Sequence, residues 1–163
     1  MANDSILNEA ILSASALIAA MRKVDGYNFD WGESNLEDMA LATFPYAIIK
    51  IIVEECLDEE NGAHACAFHN LVRLEIFIRQ CADKENSNPI YDVRVLFLQA
   101  LDDLKKLFGT NGTLDGYVDC MLYVGAEFDL TKIGNDDIFV PYEMKTNWKT
   151  RYTQSRFSPS EHA

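Results

Sequence analysis

One segment limits the fold more than any other: Phe139–Thr153, which alternates for about fifteen residues. Val140, Tyr142, Met144, Trp148 and Tyr152 point one way, and Glu143, Lys145, Asn147, Lys149 and Arg151 the other. Such period-2 alternation predicts a β-strand with one covered face and one wet face. At ~3.3 Å per residue the strand reaches roughly 50 Å. A single domain of this size has a diameter of only about 40 Å. The strand must bend, or reach past its own domain and meet something else. That favours a component of an assembly over a compact enzyme.

The 163 residues, 48% apolar and 25% charged, suit one globular domain, which would bury roughly 70% of the surface of the unfolded chain. We place it at residues 1–153, with a mobile polar tail at 154–163. No run of eighteen apolar residues marks a membrane span. Asp4, Asn8 and Glu9 interrupt the N-terminal apolar pattern, so no signal peptide is expected. Cys56, Cys66, Cys81 and Cys120 lack CxxC spacing, and most of them read as small core hydrophobes of a reducing compartment. The net charge of −12 is uneven. Ten carboxylates between Asp25 and Glu60 face Lys50 alone, a local charge of −9. There is no basic footprint for gripping nucleic acid. The acidity suits a surface that DNA slides past, and equally one that keeps the chain in solution.

A first helix, capped by Ser5 or Asp4, runs to about Lys23 and puts Ile6, Leu7, Ala10, Ile11, Ala14, Leu17, Ile18 and Met21 on one side. Tyr27–Trp31 reads as a short extended piece, followed by an acidic link, Gly32–Thr43. Pro45 opens a strand, Tyr46–Cys56, apolar on both faces at Ile48, Ile49, Ile51, Ile52 and Val53, which suits a central strand. The turn signal Asn61-Gly62 joins it to a partner, His64–Arg79, in a long hairpin with an acidic tip. Asn88-Pro89 starts a second helix that ends at Gly109. Besides its main stripe this helix has a second apolar line, Tyr91, Val95 and Leu98. Tyr117–Val124 reads as a further strand, and Gly134-Asn135-Asp136 as the turn before the long terminal one. The order is α-β-β-β-α-β-β, an α+β fold with a mostly antiparallel sheet flanked by two helices.

Catalytic motifs are missing. His64 and Cys66 share one strand face while His69 points away, and no fourth ligand stands at a metal-site spacing. Cys81 has no base placed to activate it. No GxGxxG, Walker loop, GxSxG or HExxH occurs. We therefore expect no enzyme activity, no cofactor and no metal.

Five phrases in order carry a family resemblance. An amphipathic helix precedes Gly26-Tyr27, Asp30 and Gly32. A proline-led strand, Phe44-Pro45-Tyr46-Ala47-Ile48, follows. Then come the strand His69-Asn70-Leu71-Val72-Arg73-Leu74-Glu75-Ile76, the helix opening Tyr91-Asp92-Val93, and the long strand Val140–Tyr152. Over residues 4–153 the chain resembles the tail terminator, or tail-completion, proteins of long-tailed bacteriophages. The resemblance implies a virion protein at the tail–neck junction that assembles in the host cytoplasm as a hexameric ring. Its partners would be further copies of itself, the tail tube protein and the head-completion or connector protein, with genomic DNA passing through the channel unbound. The alternative is another neck or head-closure component, or a non-viral oligomeric adaptor. On the ring reading we expect a subunit interface at Tyr91, Val95, Leu98, Lys145, Trp148, Lys149 and Arg151. Trp148 is its expected anchor, and the basic residues would meet a neighbour's acidic segment. Glu54, Glu55, Asp58, Glu59 and Glu60 are expected to face the channel.

Overall fold

The computed structural model describes residues 5–36, 38–57, 67–83, 89–134 and 139–155. Helix α1 (Ile6–Ala19) leads to strands β1 (Tyr46–Cys56) and β2 (Ala67–Asp83). Helix α2 (Pro89–Thr110) and strands β3 (Met121–Lys132) and β4 (Phe139–Ser155) follow. The four strands form one antiparallel sheet in the order β1-β2-β4-β3. The fold is α+β, with one strand fewer than the sequence order suggested. Tyr27–Trp31 makes no strand, and a 3-10 turn at Lys23–Asp25 precedes it.

Ser5 caps α1 by accepting the Asn8 amide at 3.0 Å, satisfying one of the orphan donors of the first turn. Helix α1 stops at Ala19, short of Lys23. The chain then turns at Gly26, whose φ of 90° is open to glycine at little cost. Gly32 is required for a different reason: a Cβ there would collide with the Thr43 carbonyl. The two helices cover one face of the sheet. Their Ile6, Ala10, Ala14, Ile18, Val93, Phe97, Leu101 and Leu104 pack with the even-numbered Val72, Leu74, Ile76, Ile78, Met144, Trp148 and Tyr152. Each fully buried Val, Leu, Ile, Phe or Met side chain among them contributes roughly 1.5–3 kcal/mol.

The long terminal strand is present, and it is central. All 17 residues of β2 pair with β4, from Ala67 opposite Ser155 to Asp83 opposite Phe139. Gln154 and Ser155 therefore belong to the sheet, while residues 156–163 of the expected tail lie outside the described residues. Strand β1 has the predicted bounds but the opposite place. It is an edge strand, and from Lys50 onward its residues are exposed. The hairpin pairing runs from Tyr46 opposite Arg79 to Cys56 opposite Asn70, while the turn signal Asn61-Gly62 lies outside the described residues. The other edge, β3, begins four residues later than Tyr117 and extends to Lys132.

Candidate functional site

The uncovered face of the sheet is the surface with functional potential. Antiparallel pairing keeps partners on one side, so the odd-numbered residues of β2 and β4 form this outer face. From the hairpin end, its central levels are Leu71 opposite Arg151, Arg73 opposite Lys149, Glu75 opposite Asn147, Phe77 opposite Lys145 and Arg79 opposite Glu143.

Each flanking strand has a register shift at one common level, and β3 has a second one between Glu127 and Thr131. In β1 the register shifts between Ile51, opposite Leu74, and Val53, opposite Arg73, leaving Ile52 as an extra residue. In β3 it shifts between Tyr123, opposite Trp148, and Gly125, opposite Asn147, leaving Val124 extra. Leu74 itself pairs with Trp148. The irregularities at Ile52 and Val124 thus lie on one line across all four strands. A bulge twists its strand and re-aims a side chain; here Ile52 is 49% and Val124 58% exposed. Together with Leu71, Arg73, Asn147 and Lys149 they line a cleft of about 500 Å³. A second cleft, also of about 500 Å³, lies further along the same face between Phe77, Glu127, Phe128, Asp129, Glu143 and Lys145. Glu75 borders both.

The two ends of this face differ electrostatically. Around the second cleft, Lys145 binds Glu75 and Glu127, each at 3.0 Å, and Arg79 binds Glu143 at 2.9 Å. The hydrogen bonds to Glu75 and Glu127 hold the Lys145 ammonium above its usual range. Burial works against the charge on Arg79, but its bonds to the Tyr46 hydroxyl and to Glu143 outweigh that and raise its pKa. With Asp129, this end carries four carboxylates against two cations. Near the first cleft, Arg73, Lys149 and Arg151 are exposed and have no ion pair among the described residues.

Several residues expected at a subunit interface sit elsewhere. Trp148 is not available as an anchor, being 2% exposed. Its ring packs edge-on against Phe108 and Tyr123, at 5.1 and 5.2 Å, and its indole N–H donates to Thr146 Oγ1 at 2.8 Å. A side chain buried within its own chain has no area left for a neighbour. Lys145 is committed to carboxylates of its own sheet. Val95 and Leu98 do lie on the surface, at 39% and 44% exposure. Tyr91 is in α2, but its side chain lies outside the described residues. The line of Val95 and Leu98 continues at i+7 and i+10 to Asp102 and Lys105. The Lys105 ammonium lies 4.4 Å over the Tyr123 ring, so this line runs down the β3 side of the molecule.

Of the residues expected to face a channel, Asp58, Glu59 and Glu60 lie outside the described residues, as do His64 and Cys66. Glu54 and Glu55 are exposed on β1. Glu54 accepts the Tyr152 hydroxyl at 2.9 Å. Burial first, and this bond second, raise the Tyr152 pKa well above its usual 10.0. Among the described residues no group of three or more His, Cys, Asp or Glu is placed to hold a metal ion, and no helix is long and apolar enough to cross a membrane. Sequence reasoning missed Ile52, Leu122, Val124 and Phe128 as exposed residues. Their signal was present: Ile51-Ile52-Val53 and Leu122-Tyr123-Val124 are runs of three apolar residues that violate period 2 at the bulges. Compared with known proteins, the sequence matches no family model and no curated protein.

Proposed function

We propose that the protein is a structural subunit that works by contact, without a catalytic centre. It would assemble as a ring, a hexamer by the resemblance, that caps the tail tube of a long-tailed phage and forms the surface joining it to the head connector. The observation that carries this reading is the placement of exposed apolar side chains. Ile51, Ile52 and Val53 are exposed on one sheet edge, and Leu122, Tyr123, Val124 and Phe128 on the opposite edge, while Val95 and Leu98 of α2 are exposed as well. Exposed, apolar edge strands are normally blunted or covered. Edge β1 of one copy against the β3–α2 side of the next is a head-to-tail contact, and such contacts close into rings when the rotation permits.

Native mass measurement and negative-stain imaging test the ring, alone and with purified tail tubes. The expected particle has a central hole, either free or at the tube end. Val95→Asp should abolish it while circular dichroism stays that of a folded chain. Normal rings from this variant would remove α2 from the contact. Rings that form but leave tube length unchanged would favour an oligomeric adaptor of another kind.

A further inference from the structure

Helix α1 lies on the sheet edge that the head-to-tail contact uses, and one of its flanks overhangs that edge. We propose that this flank, at Ile11 and Leu12 with Ile51 of β1 beneath them, receives the Val95–Leu98 line of α2 from the next copy. The pairing rests on the head-to-tail reading and deepens it by naming the surface that α2 meets.

Topology sets up the meeting. Both helices lie on one face of the sheet, α1 over the edge strand β1 and α2 over β2 and the opposite edge strand β3. Rotation about a single ring axis keeps every copy's helix layer on the same side of the ring wall. Edge β1 of one copy beside edge β3 of the next therefore sets α1 of the one alongside α2 of the other.

Hydrogen bonds identify the flank of α1 that faces outward along the sheet. Asn35 closes the first part of the β1 edge: its side-chain amide donates to Ser15 Oγ at 2.9 Å, and its Oδ1 accepts the Ile49 amide at 2.8 Å. Ser15 thus marks the flank over the edge. Ser13 marks the other one, because its hydroxyl donates at 2.6 Å to Asp115, in the loop that follows α2. Asn8, Ile11 and Leu12 fall within about 60° of Ser15 around the helix axis. None of the four is charged, as befits the core of an interface.

The same bonds fix the level. The Trp31 amide donates to the Met21 carbonyl at 3.1 Å and the Gly32 amide to the Pro45 carbonyl at 2.9 Å, so the end of α1 lies at the start of β1. The helix therefore runs antiparallel to the strand. One helical turn back from Ser15 is ~5.4 Å, and two residues on from Ile49 is ~6.6 Å. Ile11 and Leu12 thus come level with Ile51. Ile51 pairs with the buried Leu74 and so belongs to the helix side of the sheet, yet it is 46% exposed, and Leu12 is 55% exposed. On the opposite edge, Tyr123 pairs with Trp148 and belongs to the same helix side, exposed like Val95 and Leu98. The two patches are apolar and unlike one another, as a contact between different surfaces of identical copies requires. A bare strand edge is one chain wide, and the helix layer doubles the depth of the contact.

Native mass measurement on the full chain, free and with purified tail tubes, tests the pairing. Leu12→Asp should stay folded by circular dichroism and form no ring. Ile51→Lys, on the strand half of the same flank, should behave likewise, and it decides the matter if Leu12→Asp loses helix signal. Mixed in equal amounts at high concentration, Leu12→Asp and Val95→Asp should give a discrete 1:1 dimer, because each keeps the surface the other has lost. Normal rings from a folded Leu12→Asp would overturn the proposal and leave the head-to-tail reading standing. A mixture that stays monomeric would overturn the mating of these two surfaces. A wild type that makes no ring, free or on tubes, would overturn the ring reading itself and the helix contact with it.

Discussion

Asp103 sits in the middle of α2, on the stripe formed by Phe97, Ala100, Leu104 and Leu107, and is 2% exposed. Its carboxylate accepts the Trp31 indole N–H at 2.9 Å and the Asn28 amide at 2.8 Å. It therefore ties the Tyr27–Trp31 segment after α1 to the second helix. Removing it would strand two donors, one of them buried. Asp103→Ala should cost about 2–4 kcal/mol, since each orphaned buried donor costs ~1–3 kcal/mol. The readout is a lower urea midpoint at unchanged slope. Asp102→Ala, one residue away and exposed, should change stability by no more than about 0.5 kcal/mol. Equal effects would remove the anchor role. The sequence offered a clue here: an acidic residue at a position where the apolar stripe requires a buried one needs a partner. Trp148 shows the converse. Its alternation gave the correct face of β4, but periodicity says nothing about what covers that face. Only the packing of Phe108 and Tyr123 decides that the indole belongs to the core of its own chain.

At the scale of elements, the helices and the β1–β2 hairpin were legible because their patterns are local. The apolar periods of α1 and α2 and the Asn88-Pro89 start needed no tertiary information. Strand order did need it. The run Ile48–Val53 read as a strand covered on both sides, yet β1 is an edge. A bulge at Ile52 inserts one residue into the alternation, so a half-covered strand acquires consecutive apolar residues and mimics a buried one. The first part of this edge is closed by Asn35, held at φ 61°. Its N–H donates to the Ala47 carbonyl at 2.7 Å, and its Oδ1 accepts the Ile49 amide at 2.8 Å. One residue thus substitutes for a neighbouring strand over one step. Asn35→Ala loses the acceptor and places a Cβ-bearing residue less suited to positive φ there. A cost of about 1–2.5 kcal/mol is expected, with faster hydrogen exchange at the Ile49 amide. Unchanged exchange at Ile49 would show that the edge is held by other contacts.

At the scale of the whole molecule, every resolved shift in proton affinity among the described residues points the same way. Tyr152 is raised by burial and by Glu54, and Tyr27 by burial and then by Asp103 and Asp25. Lys145 and Arg79 are also raised. A group whose folded pKa lies above its unfolded value binds its proton more tightly in the native state. Its contribution is complete below the unfolded pKa and is lost as pH rises through the folded one. Stability should therefore carry no loss from these groups through neutral pH and should fall above about pH 10, where unfolded tyrosine and lysine begin to release protons. Urea unfolding at a series of pH values checks this. Tyr152→Phe should flatten the alkaline decline, and an unaltered slope would show that the buried hydroxyl is not its source.

The position of β4 has a consequence for how the chain is made. Strand β4 lies between β2 and β3, yet it is the last of the four to leave the ribosome. Until it arrives, β2 has a partner on one side only and β3 has none, so neither can complete its ladder. For that interval the nascent chain holds open strand edges beside unburied Leu74, Ile76 and Ile78. Exposed edges with apolar flanks invite pairing with the wrong chain. Closing the sheet is a late event, because β4 must pair with β2 on one side and recruit β3 on the other. Crowding of many nascent copies on one message would make that interval the most hazardous of the protein's life.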